Sequence, residues 1–262
     1  MTSMDGPEAL DDGEDGGALQ KVLQAAGLGT RRQLQGWIAD GRVAVNGVVV
    51  TRYAEPVEPT DVVTVDDEVI VGAAAPIVYL MHKPKKHLTM LVDPEGKPAL
   101  APYLPASAPF VFPVGRLDYN SEGALLFTND GGLARRILHP DWTLPKWYAL
   151  KLRGEWSDDH PGLCRMREGM TLASGESYLP ADVEAGESRS RATWVHITIT
   201  EGKHRQLRKM CAEAGFQVVK LRRMAVGPVM LGELNPRCVR EVIGLERDAL
   251  YRAVGLAPPR TP

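Results

Sequence analysis

A chain of 262 residues, 44% hydrophobic and 24% charged, can build one sizeable core plus a small accessory module, and its composition excludes a fibrous or wholly disordered protein. Its three cysteines, Cys164, Cys211 and Cys238, stand far apart without a CxxC pair, which argues against a disulfide framework and a structural zinc site and points to a reducing, cytoplasmic setting. No basic segment followed by an apolar one opens the chain and no apolar run is long enough for a bilayer, so neither export nor membrane embedding is expected. The net charge of -2 hides an asymmetry: residues 1–17 carry Asp5, Glu8, Asp11, Asp12, Glu14 and Asp15 without a Lys or Arg, so the remainder is mildly basic. That first stretch reads as a disordered acidic tail, and the basic remainder suits an anionic partner.

From residue 18 onward the pattern becomes periodic. Leu19, Val22, Leu23 and Ala26 fall at helical spacing, and Gly27 and Gly29 end the run. Thr30-Arg31-Arg32-Gln33 has the form of a capping box opening a second helix, with Leu34, Trp37 and Ile38 as its apolar face and Gly41 as its stop. Val43–Val48, turning at Asn46-Gly47, reads as a hairpin. Residues 66–76, DDEVIVGAAAP, combine a closing strand with a small-residue linker, which puts a domain boundary near Ala75. A small helix-helix-hairpin domain is therefore expected over residues 18–75.

This stretch, LQKVLQAAGLGTRRQLQGWIADGRVAVNG, resembles the small RNA-binding domain named after the fourth protein of the small ribosomal subunit. The resemblance implies that the second helix grips RNA phosphates through Arg31 and Arg32, with Lys21 and Arg42 nearby and Gln33 as a further candidate. The bland alternative is a pair of solvated arginines, although positive charge in a helix's first turn is slightly unfavourable beside the dipole's positive end.

Beyond residue 75, strand-like runs at 77–81, 111–114, 124–127, 147–152, 192–200 and 217–221 are interleaved irregularly with helix-like runs at 133–138, 161–166 and 204–214. Such interleaving predicts an α+β domain over residues 76–250, with a mixed, largely antiparallel sheet and flanking helices, followed by a C-terminal tail over 251–262. In the helix-like run 204–214, Leu207, Met210, Cys211 and Ala214 form the apolar stripe, which leaves His204, Arg205 and Arg208 on another face.

Three segments place charged or reactive side chains amid glycine and turns: GRLDYNSEGALLFTNDG at 115–131, PKWYALKL at 145–152 and EGKHRQLRKM at 201–210. Together, in this order and spacing, they resemble ribosomal pseudouridine synthases of the RsuA and RluB type over residues 19–245. LQKVLQAAGLGTRR and the DPEG segment at 93–96 lean toward the RluB branch, which acts on large-subunit (23S) rRNA. Departures from the pattern are Ser121 where threonine is usual, His82 where asparagine is common, and a missing glycine soon after Pro84.

The resemblance implies an isomerase that breaks the bond from ribose to the uracil ring nitrogen, turns the base and rejoins the sugar to carbon 5. No redox step or external group enters, so neither cofactor nor metal is expected. Asp118 would be the catalytic carboxylate, Arg208 the guanidinium that orients it, and Tyr148 the aromatic ring that stacks on the everted uracil and serves the final proton transfer. Arg116, Asn120, Lys146, Lys203, Arg205, Gln206 and Leu221 are candidate substrate contacts, with Arg116 holding the rearranged RNA and Leu221 in the pocket wall. Lys203, His204, Arg205, Lys209, Lys220, Arg222 and Arg223 suggest a basic phosphate-binding surface, since Glu213 is the one acidic residue between 203 and 223. The expected partner is ribosomal RNA, free or in a pre-ribosomal particle, and the expected state is a monomer. Two other classes compete: a noncatalytic RNA-binding assembly factor, and an N-glycoside hydrolase using the same carboxylate with water.

Overall fold

A computed structural model describes residues 18–58, 61–70, 75–108, 110–189 and 191–259, so the acidic segment 1–17 and most of the small-residue linker lie outside the described residues. The chain divides into two compact units, Met1–Ala75 and Pro76–Pro262.

The first unit contains α1 (Ala18–Ala25), α2 (Arg31–Ala39) and four short strands, β1 (Val43–Val45), β2 (Val48–Val49), β3 (Val63–Val65) and β4 (Glu68–Val69). Gly27, at φ +74°, follows α1, and Thr30 caps α2 by a complete capping box with Gln33. Leu19, Leu23, Leu34 and Ile38 from the two helices close over Val43, Val63 and Val65 of an antiparallel sheet ordered β2-β1-β3-β4. Asn46 and Gly47 turn the first hairpin with positive φ, as their sequence suggests. Asp66 and Asp67 do the same in a second hairpin, at φ 50° and 67°. The closing strand expected within residues 66–76 is β4, and the turn that precedes it at Asp66-Asp67 was hidden because no glycine marks it.

The second unit is built on β5 (Val78–Lys83), β6 (Phe112–Val114), β7 (Glu122–Thr128), α3 (Gly131–Leu138), β8 (Lys146–Arg153), α4 (Pro161–Glu168), β9 (Met170–Thr171), β10 (Ser177–Tyr178), β11 (Asp182–Arg189), β12 (Ala192–Ile199), α5 (Gln206–Glu213), β13 (Val218–Val226), β14 (Val229–Met230), β15 (Val239–Glu241) and α6 (Gly244–Ala253). Its main sheet runs β11-β12-β8-β13-β7-β5-β15, with β6 added on β7 and β14 on β13. Every pairing is antiparallel except that of β13 with β7, which sets Arg222 opposite Glu122 and Arg223 opposite Gly123. The fold is therefore α+β with a mixed, largely antiparallel sheet.

Alternation along the central strands shows that this sheet is buried on both faces. Tyr79, Met81, Leu125 and Phe127 point into one core, which α4 and α5 close with Leu163, Met166, Leu207 and Met210. Val78, Leu80, Ala124 and Leu126 point into the other, covered by Leu133 and Ile137 of α3 and Leu250 and Tyr251 of α6.

Two expectations change here. Residues 251–253, read as the start of a tail, complete α6, where Tyr251 is buried and donates its hydroxyl to Asp130 at 2.8 Å. The helix expected from residue 204 begins at Gln206, because Arg205 adopts the left-handed conformation at φ 54° and interrupts it. His204 and Arg205 are therefore loop residues rather than members of one face with Arg208. Among the described residues no helix is long and apolar enough to cross a membrane.

Candidate active site

The tight turn Leu117–Ser121 carries Asp118 between β6 and β7, closed by a Ser121 N–H to Asp118 carbonyl bond of 2.9 Å. The segment after β5 clamps it. Lys83 is buried at the end of β5, and its Nζ donates to the carbonyls of Pro84, Asp118 and Ser121 at 3.1, 3.2 and 3.1 Å. The Thr89 hydroxyl donates to the Leu117 carbonyl at 2.6 Å and accepts the Leu117 N–H at 3.1 Å. Lys86 N–H reaches the Tyr119 carbonyl at 2.7 Å, and Lys86 itself sits at φ 60°, filling in left-handed form a place that favours glycine.

Lys83 was not among the expected site residues; only a Lys-Pro pair ending a strand hinted at it. Its three ammonium donors are matched by three carbonyls, yet burial still pulls its pKa down to about 8, with the charge of Asp118 acting in the opposite direction. Because the unfolded lysine titrates near 10.4, the unfolded state binds more protons between those values, and stability contributed at this position rises with pH there. The expected result is that the wild type gains stability relative to Lys83→Met between about pH 8 and 10 in urea unfolding curves. A difference that stays flat across that window would contradict the assignment.

Asp118 is partly exposed, and its Oδ2 lies 3.5 Å from Arg208 Nε and 3.6 Å from Arg205 Nη1. Arg208 also donates through Nη2 to the Asn120 carbonyl and the Ser121 hydroxyl, both at 3.2 Å. Its buried Nε is an ion-pair partner of the carboxylate without hydrogen-bond geometry. One guanidinium, brought by α5, therefore spans both the carboxylate and the turn that presents it.

Tyr148, 7% exposed, lies on β8 opposite Ile197 of β12 and Arg223 of β13. Leu221 lies two residues from Arg223 on the same face of β13. Asp118, Tyr148 and Arg208 all line one cleft of about 430 Å³, together with Arg116, Lys146, Lys203, Arg205, Gln206 and Leu221. Of the expected site residues in this unit, only the Asn120 side chain is not among the lining; it is exposed, and its carbonyl holds Arg208.

Residues 77–213 match the model of the family described as RNA pseudouridylate synthase, and residues 19–63 match the S4 domain. The chain belongs to the RNA pseudouridylate synthase family. An uncharacterized RNA pseudouridine synthase of Aquifex aeolicus is 38% identical over 91% of this chain and 95% of its own length. The ribosomal large subunit pseudouridine synthase B of Bacillus subtilis is 31% identical over 86% of this chain and 91% of its length, and that of Pseudomonas aeruginosa 36% over 94% and 65%. A solved structure titled a pseudouridylate synthase superposes with a TM-score of 0.59 at 26% identity, covering 86% of this chain and 95% of the other.

In this pseudouridylate synthase several expected RNA contacts have other occupations. Gln206 is buried; its amide nitrogen donates to Glu201 at 2.7 Å and its oxygen accepts the Lys203 N–H at 3.2 Å. Lys203 pairs with Glu201 at 3.2 Å and donates to the Ser177 carbonyl at 2.6 Å. Lys209 pairs with Glu176, while Lys220 and Arg222 share Glu122 at 2.9 and 2.7 Å. The basic surface expected over 203–223 is thus largely neutralised, by Glu122 and Glu176 from distant parts of the chain and by Glu201 just ahead of the stretch. In the S4 domain, Lys21, Arg31 and Arg32 are exposed, but Gln33 spends its amide oxygen on the helix cap. Arg42 is held by both carboxylate oxygens of Asp66 and lies 4.7 Å over the Trp37 ring, so it ties the small domain together.

Proposed function

We propose that this protein converts a uridine of large-subunit (23S) ribosomal RNA to pseudouridine, with Asp118 as the catalytic carboxylate. The observation that carries this reading is the convergence of Asp118, Tyr148 and Arg208, from three separated segments, on one cleft large enough for a nucleoside. The printed names of the Bacillus and Pseudomonas relatives support the large subunit as substrate, and a cytoplasmic location goes with that reading.

The target uridine is everted from folded RNA, at a cost of about a few kcal/mol that backbone contacts must offset. Arg116, exposed at the cleft, is placed to hold the rearranged strand. The Asp118 carboxylate attacks the nucleoside or stabilises the cationic sugar while Arg208 and Arg205 fix its direction. Tyr148 packs against the uracil, Leu221 against the pocket wall, and the proton on carbon 5 leaves after the new carbon-carbon bond has formed.

Incubating the protein with unmodified 23S rRNA and mapping pseudouridine tests the reading. New pseudouridine at a discrete site is the expected result; RNA binding without product would favour an assembly factor, and free uracil a hydrolase. Arg208→Lys should lower turnover by roughly 100-fold, because a single ammonium cannot serve the Asp118 carboxylate together with Asn120 and Ser121. Single-turnover rates measure this, and a loss under about threefold would contradict the dual role. Deleting residues 1–75 should weaken rRNA binding by about tenfold or more, worth ~1.4 kcal/mol, while turnover of saturating substrate changes far less. Unchanged affinity in a filter-binding titration would remove the anchoring role from Lys21, Arg31 and Arg32.

A further inference from the structure

Among the described residues, two cations on the strands beside Tyr148 line the cleft without a carboxylate partner. Arg223 opposes Tyr148 across β8 and β13, and Lys146 lies two residues from Tyr148 on the same face of β8. Both belong to the cleft lining. Arg223 is 4% exposed; its Nε donates to the Ala124 carbonyl at 2.6 Å, and its Nη2 is sealed from solvent with no acceptor. Lys146 Nζ donates to the Leu144 carbonyl at 3.1 Å. Neither forms an ion pair among the described residues, whereas Lys220 and Arg222 on the same strand share Glu122.

Placing two like charges together in a partly desolvated site is unfavourable, and the Lys146 ammonium shows it, its pKa lowered by burial and then by Arg223. The Arg223 bond to Ala124 helps tie β13 to β7, but it uses one of five guanidinium donors. An unneutralised pair lining a cleft fits a group that arrives with the substrate and becomes negative there. Of the other cations at this cleft, Arg205 and Arg208 face Asp118 and Lys203 pairs with Glu201, while Arg116 is exposed to solvent rather than buried beside the base-stacking tyrosine.

We infer that Arg223 and Lys146 hold a uracil carbonyl oxygen and take up the negative charge that the ring acquires when its bond to ribose breaks. This rests on the reading given under Proposed function. Heterolysis of that bond leaves the electron pair on the ring, delocalised over its nitrogen and two carbonyl oxygens, while the Asp118 carboxylate covers the positive charge on the sugar. No proton moves in this step. After the sugar rejoins at carbon 5, the proton on that carbon leaves and the free ring nitrogen gains one, so the base ends neutral. Cations that meet a neutral oxygen in the bound uridine and an anionic one as the bond breaks lower the barrier rather than tighten binding. An RNA phosphate at the same place would be charged throughout and would affect affinity instead.

The test compares single-turnover rates of the full-length wild type, Lys146→Met and Arg223→Gln on an rRNA fragment carrying uridine or 5-fluorouridine at the target. Fluorine makes the departing ring more acidic and less dependent on help, and the readout is loss of the original nitrogen-linked nucleoside. Each variant is expected to lose about 100- to 1,000-fold on uridine, at least about tenfold less on 5-fluorouridine, with RNA affinity within about threefold of the wild type. Equal losses on both substrates in both variants would overturn the inference by marking a structural role. Weakened RNA binding with unaltered rates would overturn it in favour of a phosphate contact. A wild type that converts neither substrate would sink the parent reading and this inference with it, whereas equal losses with an active wild type overturn this inference alone.

Discussion

Replacing Asp118 by asparagine is expected to abolish pseudouridine formation, with turnover down by on the order of 1,000-fold or more, equivalent to at least ~4 kcal/mol of barrier. The substitution is nearly isosteric, and the bonds that shape the turn run through the Asp118 and Ser121 backbone, so the fold should survive. What disappears is the negative charge facing Arg205 and Arg208. RNA affinity should stay close to the wild-type value, because an amide removes no cation from the RNA-facing surface. A variant that keeps a tenth or more of the wild-type rate would take the catalytic role away from this carboxylate.

Gly123→Ala is expected to be the most damaging single change to the fold of the catalytic domain. Gly123 sits at φ +112°, and a Cβ there would lie 2.2 Å from the Arg223 carbonyl oxygen and 2.6 Å from its nitrogen. Backbone cannot swing aside as a side chain can, so β7 and β13 would have to separate at the sheet's one parallel pairing. That pairing also fixes Arg223 beneath the cleft and Glu122 beside Lys220 and Arg222. A loss of about 4 kcal/mol, or roughly 10 °C in Tm, is the expected scale. Gly175→Ala is the control: its φ is +87° but nothing lies within 4 Å of the added Cβ, so only backbone strain of about 1 kcal/mol should appear. Similar losses from the two would mean that the strands are not in tight contact.

Local chemistry was what the sequence disclosed best. The Thr30 and Gln33 capping box and the Asn46-Gly47 turn depend on neighbours in sequence, and both stand as expected. The aspartate, lysine-x-tyrosine and basic-helix segments stood out from periodic surface, and the resemblance to ribosomal pseudouridine synthases supplied their roles. What escaped depends on partners far along the chain. Glu122 and Glu176 neutralise Lys220, Arg222 and Lys209 of a basic stretch that looks unopposed when only residues 203–223 are considered. The Lys83-Pro84 pair stands out, but its burial under the Asp118 turn was not legible, since a lysine closing a strand is ordinarily solvated. Edge strand β11, DVEAGESR, carries acidic residues on its outer face as edge strands do, which masked its pairing with β12. Helix α6 was hidden because its N-cap, Ile243, offers no capping side chain.

The proposed reaction processes an everted uridine between Asp118 and Tyr148. Its most direct test is the structure of this protein bound to an rRNA fragment with 5-fluorouridine at the modified position. The expected result is a nucleoside turned out of its helix, with its ring against Tyr148 and its sugar beside the Asp118 carboxylate. A target nucleoside that remains stacked in the RNA, or that occupies a surface away from this cleft, would contradict the account.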